Sequence, residues 1–172
     1  MNSKLDFLFG RRSVRKYGAG EIPDDVVRDL LEAGMAAPSA AGKDPWRFVA
    51  VRDRATLARI AEGLPNGTFL REASLGIIVC GDPRAAHTEQ ESYMLQDCSA
   101  SIENILLAVH ALGLGACWLG VHPRPERMGH LRQVLGIPEE ILPVAALAIG
   151  RPAALPEPRT RYEESSVHHE RW

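Results

Sequence analysis

The segment from Tyr93 to Gly115, YMLQDCSASIENILLAVHALGLG, constrains this chain more than any other stretch. Cys98, Ile102, Ile105, Leu106, Val109 and Leu112 recur at three- and four-residue intervals, which makes one broad apolar stripe on a helix. Gly113 marks its C-terminal end. A helix of this length cannot leave such a stripe in water, so it needs a layer to lie on. The rest of the chain supplies one. WRFVAV from Trp46, ASLGIIVCG from Ala73, ACWLG from Ala116 and VAALAIG from Val144 read as strands. ASLGIIVCG is apolar enough to be covered on both faces. Between them IPDDVVRDLLEAGMAAP, RATLARIAEGL and RPERMGHLRQVLG read as helices, the first opened by Pro23, Asp24 and Asp25 and ended by Pro38. A short apolar turn around Leu5 to Phe9 precedes them. Helices and strands in alternation predict helices layered on a sheet, and the pattern alone makes that sheet parallel.

Of 172 residues, 45% are apolar, which predicts a single domain, residues 1–172, with a sizeable core. The net charge is −2, so no global field favours nucleic acid or an anionic membrane. The N-terminus MNSKLDFLFGRRS lacks an apolar run of signal-peptide length, and no stretch reaches membrane-spanning length; the expected location is the cytoplasm. Cys80, Cys98 and Cys117 are odd in number and widely spaced in apolar or small-residue runs, which predicts buried, reduced thiols rather than a disulfide framework or a metal site. His168 and His169 have no third ligand at metal spacing and read as surface residues.

Against this acidic background, Arg11, Arg12, Arg15 and Lys16 stand out: four of the chain's 20 Lys and Arg fall in six positions, with Ser13 among them. Guanidinium groups bind phosphate bidentately and a serine hydroxyl adds a neutral donor, so the grouping suits a phosphate monoester; a solvated basic turn is the plainer alternative. The loop PSAAGKDPW, Pro38 to Trp46, places Ser39, Gly42 and Lys43 where small residues let backbone amides approach a flat ligand. Lys43 is a charge that would support an anionic form of such a ligand. GLGACWLG looks like a nucleotide loop, but its glycines follow a helix and precede a strand, and no phosphate-binding G-x-x-x-x-G-K-[ST] occurs. The tail from Arg151 is rich in Pro and charge yet ends on Tyr162, Val167 and Trp172. Such a tail frays or lies on another subunit, and its Arg159 and Arg161 are candidates to return to the phosphate of Arg11.

In order, RRSVRKY, APSAAGKDPWRFVAV, DCSASIENILLAVHALGLGACWLG, GIPEEILPVAALAIGRP and RTRYEESSVHHERW resemble the FMN-dependent nitroreductase family, in a short form, from Arg11 to the C-terminus. The resemblance implies an α/β (α+β) three-layer sandwich, a central mixed β-sheet flanked by helices, with the tail 151–172 exchanged between subunits of a homodimer that holds FMN at its interface. It implies that Arg11, Arg12, Ser13 and Arg15 hold the phosphate and ribityl end of FMN with Arg161. Pro38, Ser39, Ala40, Gly42 and Lys43 would belong to the flavin-contacting loop, Pro38 and Ser39 from the partner. Leu119 and Gly120 would lie against the ring, and Asn66 would match a flavin-contacting asparagine. The loop departs from the family, which usually has an asparagine and a glutamine where this chain has Gly42 and Asp44. The implied activity is reduction of nitroaromatics, quinones or similar acceptors, with NADH or NADPH as donor and hydride passing through the flavin, so that no side chain is nominated as acid or base. The alternatives are flavin fragmentation or reductive dehalogenation on the same fold, or a flavin-binding module without turnover.

Overall fold

A computed structural model describes residues 2–172. The long apolar segment forms one uninterrupted helix, Glu91–Ala111. It ends as its glycine requires: the amide of Gly113 bonds the carbonyl of His110, and that of Leu114 reaches back to Val109. In chain order the main elements are α1 (Asp6–Gly10), α2 (Asp24–Met35), β1 (Trp46–Val51), α3 (Arg54–Glu62), β2 (Leu75–Gly81), α4 (Glu91–Ala111), β3 (Gly115–Gly120), α5 (Pro125–Leu135) and β4 (Leu142–Gly150). α2 stops at Met35, three residues short of Pro38, where the Ala36 amide bonds the carbonyls of Glu32 and Gly34.

The strands form one sheet in the order β1-β2-β4-β3, and all three pairings are antiparallel. The parallel arrangement expected from helix–strand alternation is therefore wrong for these strands. Val51 pairs with Gly76, so the chain leaves β1, folds α3 onto one face and re-enters at the same end. Gly120 and Ala145 bracket α5 in the same way. Among the described residues the parallel component of the sheet is a single bridge, Ser13 to Ala116, which lays the N-terminal segment along the free edge of β3.

Side chains alternate across the sheet with the period of two that strands impose. Leu75, Ile77 and Val79 of β2 face the layer of α2 and α4, where Leu30, Met94, Cys98, Ile102 and Ile105 are buried. Ile78 and Cys80 face the layer of α3 and α5 with Leu57, Ile60 and Leu131. Every residue of β2 is buried, because helices cover both faces of an antiparallel sheet here. The register slips by one residue between Val79 and Cys80, which leaves the consecutive Val144 and Ala145 on the same face. All three cysteines are free and buried.

Candidate active site

The N-terminal arginines are held at the sheet edge by backbone contacts that need a glycine. The Val14 amide bonds the carbonyl of Ala116 at 2.8 Å. A Cβ on Gly115 would sit 2.8 Å from Val14, so no other residue admits this approach. Val14 is buried, which turns Ser13 and Arg15 outward on either side of it. Three residues on, the Tyr17 hydroxyl lies 2.8 Å from the Val14 carbonyl and 2.9 Å from that of Ala148, tying the segment to β4. Burial raises the Tyr17 phenol well above its ordinary pKa, so it stays a neutral hydrogen-bond donor.

Beside this segment lies a cavity of about 210 Å³, lined by Arg15, Leu64, Asn66, Gly67, Cys117, Trp118, Leu119, Gly120 and Arg127. Four residues predicted from sequence, Arg15, Asn66, Leu119 and Gly120, thus meet at one place. Its walls combine leucines and glycine backbone with two guanidinium groups and no carboxylate. Among the described residues neither Arg15 nor Arg127 is ion-paired. A Cβ placed on Gly120 would meet nothing within 4 Å, so the backbone there faces open space. The arrangement suits a flat ligand that carries negative charge.

The sulfur of Cys117 marks where the arginine stretch converges. Burial pushes its thiol up from the ordinary value, opposed first by the Arg15 charge, then by a hydrogen bond with Ser13 and by the Arg11 charge. Arg11 also pairs with Glu103 of α4 at 3.3 Å. Arg11 and Arg12 line a neighbouring narrow cleft with Leu155 and Pro156 of the tail. The tail runs back along this segment: the Ala153 amide bonds Lys16, and that of Arg159 bonds Phe9 at 3.2 Å. Arg161 follows two residues later and is exposed.

The second half of the predicted site is elsewhere. Pro38, Ser39, Ala40, Gly42 and Lys43 lie in the connection before β1, at the opposite edge of the sheet from β3. Three strand spacings, about 14 Å, separate the two edges. Ala41, Gly42 and Asp44 all have positive φ, of 54°, 62° and 48°. Asparagine, usual in the family at Gly42, also tolerates that conformation, so the departure preserves the backbone path. Asp44 does not project freely. Its carboxylate accepts the Ser39 hydroxyl, and its amide donates to the Ser39 oxygen at 3.1 Å.

Leu64, Gly67, Cys117, Trp118 and Arg127 line the cavity without having been assigned to a site from the sequence. Arg127 sits in the first turn of α5 and donates from Nη1 to the Gly120 carbonyl at 2.7 Å. The sequence signal for it was only its place after a strand and a turn. Of the histidines, His122 pairs with Glu91 at 3.1 Å, His130 contacts the Arg59 carbonyl at 2.7 Å and His168 stacks on Trp172. Among the described residues no group of three or more His, Cys, Asp or Glu is placed to hold a metal, and no helix is long and apolar enough to cross a membrane.

Comparison with known proteins bears on this geometry. The family model described as the nitroreductase family matches residues 8–64 and 61–151. A protein of Archaeoglobus fulgidus, provisionally named an NADH dehydrogenase/NAD(P)H nitroreductase, is 41% identical, and the match covers all of both chains. A crystal structure from Bacteroides thetaiotaomicron with the same provisional name superposes with a TM-score of 0.93 at 39% identity, covering 100% of this chain and 99% of the other. A provisional nitroreductase of Desulfovibrio desulfuricans, solved in complex with FMN, has a TM-score of 0.85 at 32% identity over 100% of this chain and 99% of its own.

Proposed function

The chain belongs to the nitroreductase family, and from that premise we propose that it is an FMN-dependent NAD(P)H oxidoreductase acting on nitroaromatics, quinones or similar small acceptors. The observation that carries the reading is the carboxylate-free cavity in which Arg15, Asn66, Leu119 and Gly120 meet beside the arginine stretch. The cavity and the adjoining arginine cleft together supply donors for both ends of FMN. Arg11, Arg12 and Ser13, with Arg161 of the tail, serve the phosphate, whose charge at neutral pH is about −1.5 to −2. Leu64, Leu119 and the bare backbone at Gly120 serve a flat ring. When bound, FMN supplies hydride acceptance from a nicotinamide and its return to an acceptor.

The chain's own residues bind, orient and exclude water. Arg15 puts a fixed positive charge on the cavity wall, where negative charge on the ring is stabilised. Asn66 offers an amide that both donates and accepts. Arg127 holds the Gly120 carbonyl and so fixes the backbone under the ring.

The cavity of about 210 Å³ is smaller than the 300 Å³ or more typical of ligand pockets, and the loop of residues 38–43 lies an entire sheet width away. Both facts support a homodimer in which the loop of one subunit completes the cavity of the other. So do the exposed apolar side chains of Phe7, Met35, Leu112, Leu155 and Trp172. In this reading residues 1–172 form a single domain whose tail, 151–172, lies along its own N-terminal segment as far as Arg159 and crosses to the partner beyond it. Three free, buried thiols suit a reducing, cytoplasmic setting. Titration with FMN at known protein mass tests the proposal. One FMN per chain and a dimeric mass are expected; a monomer that takes up no FMN contradicts it.

A further inference from the structure

Among the described residues Asp97 is one of two polar residues buried in the core, at 5% exposure; the other is Ser101, one turn further along α4. Its Oδ1 accepts the Ala40 amide at 2.9 Å, across 57 residues of sequence. Its Oδ2 is buried and has no hydrogen-bond partner, and neither does the Ser101 hydroxyl. For folding alone this is a poor use of a core position. Removing a carboxylate from water costs free energy that one hydrogen bond does not return, and an apolar residue would serve the core better.

What Asp97 holds gives the position its meaning. Ala40 opens a turn in which Ala41, Gly42 and Asp44 have positive φ, a conformation unfavourable for the two that are not glycine. The ring of hydrogen bonds between Ser39 and Asp44 closes the loop on itself, and Arg47 donates to the Asp44 carbonyl at 3.4 Å from the strand that follows; neither reaches the helical layer. The bond from Ala40 to Asp97 is the polar link between the loop and the helical layer, on a helix that carries buried side chains from Met94 to Val109.

We propose that Asp97 is a positioning residue for the flavin site: it fixes the loop of residues 39–44, with Ala41, Gly42 and Asp44 left-handed, in the conformation needed to complete the partner's cavity. The inference rests on the functional reading above. It assigns Asp97 no contact with flavin or substrate; the carboxylate acts through the Ala40 amide.

The test compares Asp97→Ala with Asp97→Asn. The amide oxygen of asparagine can accept from Ala40, and its NH2 group replaces the orphaned Oδ2 one turn from the unpartnered Ser101 oxygen. Two readouts separate positioning from bulk stability. The first is amide hydrogen exchange over residues 39–44 in flavin-free protein, and the second is FMN affinity by fluorescence titration. Asp97→Ala should lose exchange protection in the loop and weaken FMN binding by about tenfold or more. Its thermal midpoint without flavin should stay unchanged or rise. Asp97→Asn should restore loop protection and FMN affinity. If Asp97→Ala keeps wild-type protection and affinity, the inference is overturned while the functional reading stands. It is overturned equally if Asp97→Ala merely lowers the thermal midpoint with FMN affinity intact. Wild-type protein that binds no FMN overturns the reading and this inference with it.

Discussion

Arg15 and Arg127 share a cavity wall with no carboxylate between them, in a protein whose net charge is negative. An anionic ligand in this cavity would meet two guanidinium groups that no carboxylate neutralises. A charge-assisted hydrogen bond contributes about 1.5–3 kcal/mol, so Arg15→Ala should raise the FMN Kd by about 10- to 150-fold, read by fluorescence titration, with the fold intact by circular dichroism. Arg15 was legible in the sequence because its charge stands out locally. Arg127 was not, because its role depends on the turn that brings α5 under Gly120, seven residues upstream. Cys80 and Cys98 make a second prediction at this scale. Burial pushes both thiols up to about 12, whereas in the unfolded chain they ionise near pH 8.5. The stability gained by keeping them neutral is therefore whole below about pH 8.5 and is lost as the pH rises toward 12. Urea midpoints should be level near neutrality and fall on the alkaline side, and Cys98→Ala should flatten that fall relative to its own neutral value.

At the scale of elements, the site depends on a contact between two segments that sequence reading treats separately. The basic stretch reaches β3 because Gly115 has no side chain. Gly115→Ala would force its Cβ to 2.8 Å from Val14. Such overpacking costs about 1–3 kcal/mol, and the displaced segment carries Ser13 and Arg15 with it. The expected outcome is a lower denaturation midpoint together with weaker FMN binding, although residue 115 does not line the cavity. Equal FMN affinity in a destabilised Gly115→Ala would show that the bridge is structural only. The elements themselves were legible: α4 from its stripe, β2 from its unbroken apolar run. The direction of the strands was not. Apolar periodicity reports which faces are covered, and here helices cover both faces of the sheet, as they do in parallel sheets. It does not report at which end the chain re-enters, and α3 and α5 both return it to the end it left. The hydrogen-bonded ring of Ser39 and Asp44 was equally hidden, since it answers how Asp44 is used by a bond across five residues.

Over the whole molecule, the predicted site residues fall into two groups that one chain does not join. Arg15, Asn66, Leu119 and Gly120 gather at the β3 edge, and Pro38 to Lys43 lie at the β1 edge. The tail, bonded to the N-terminal segment through Ala153 and Arg159, leaves Leu155 at 70% and Tyr162 at 73% exposure. In the proposed homodimer a second copy would resolve this division, offering the loop to the cavity and a surface to the tail. The sequence resemblance implies such an assembly; composition and periodicity are silent on it, since assembly leaves no periodic mark on a chain. Whether the divided site assembles into an FMN-dependent oxidoreductase is decided by the visible spectrum of the purified protein before and after anaerobic addition of NADH or NADPH. A yellow protein is expected, whose flavin absorbance bleaches on addition of at least one of the two donors. Colourless protein that takes up no added FMN, or flavin-loaded protein that neither donor bleaches, would contradict the assignment.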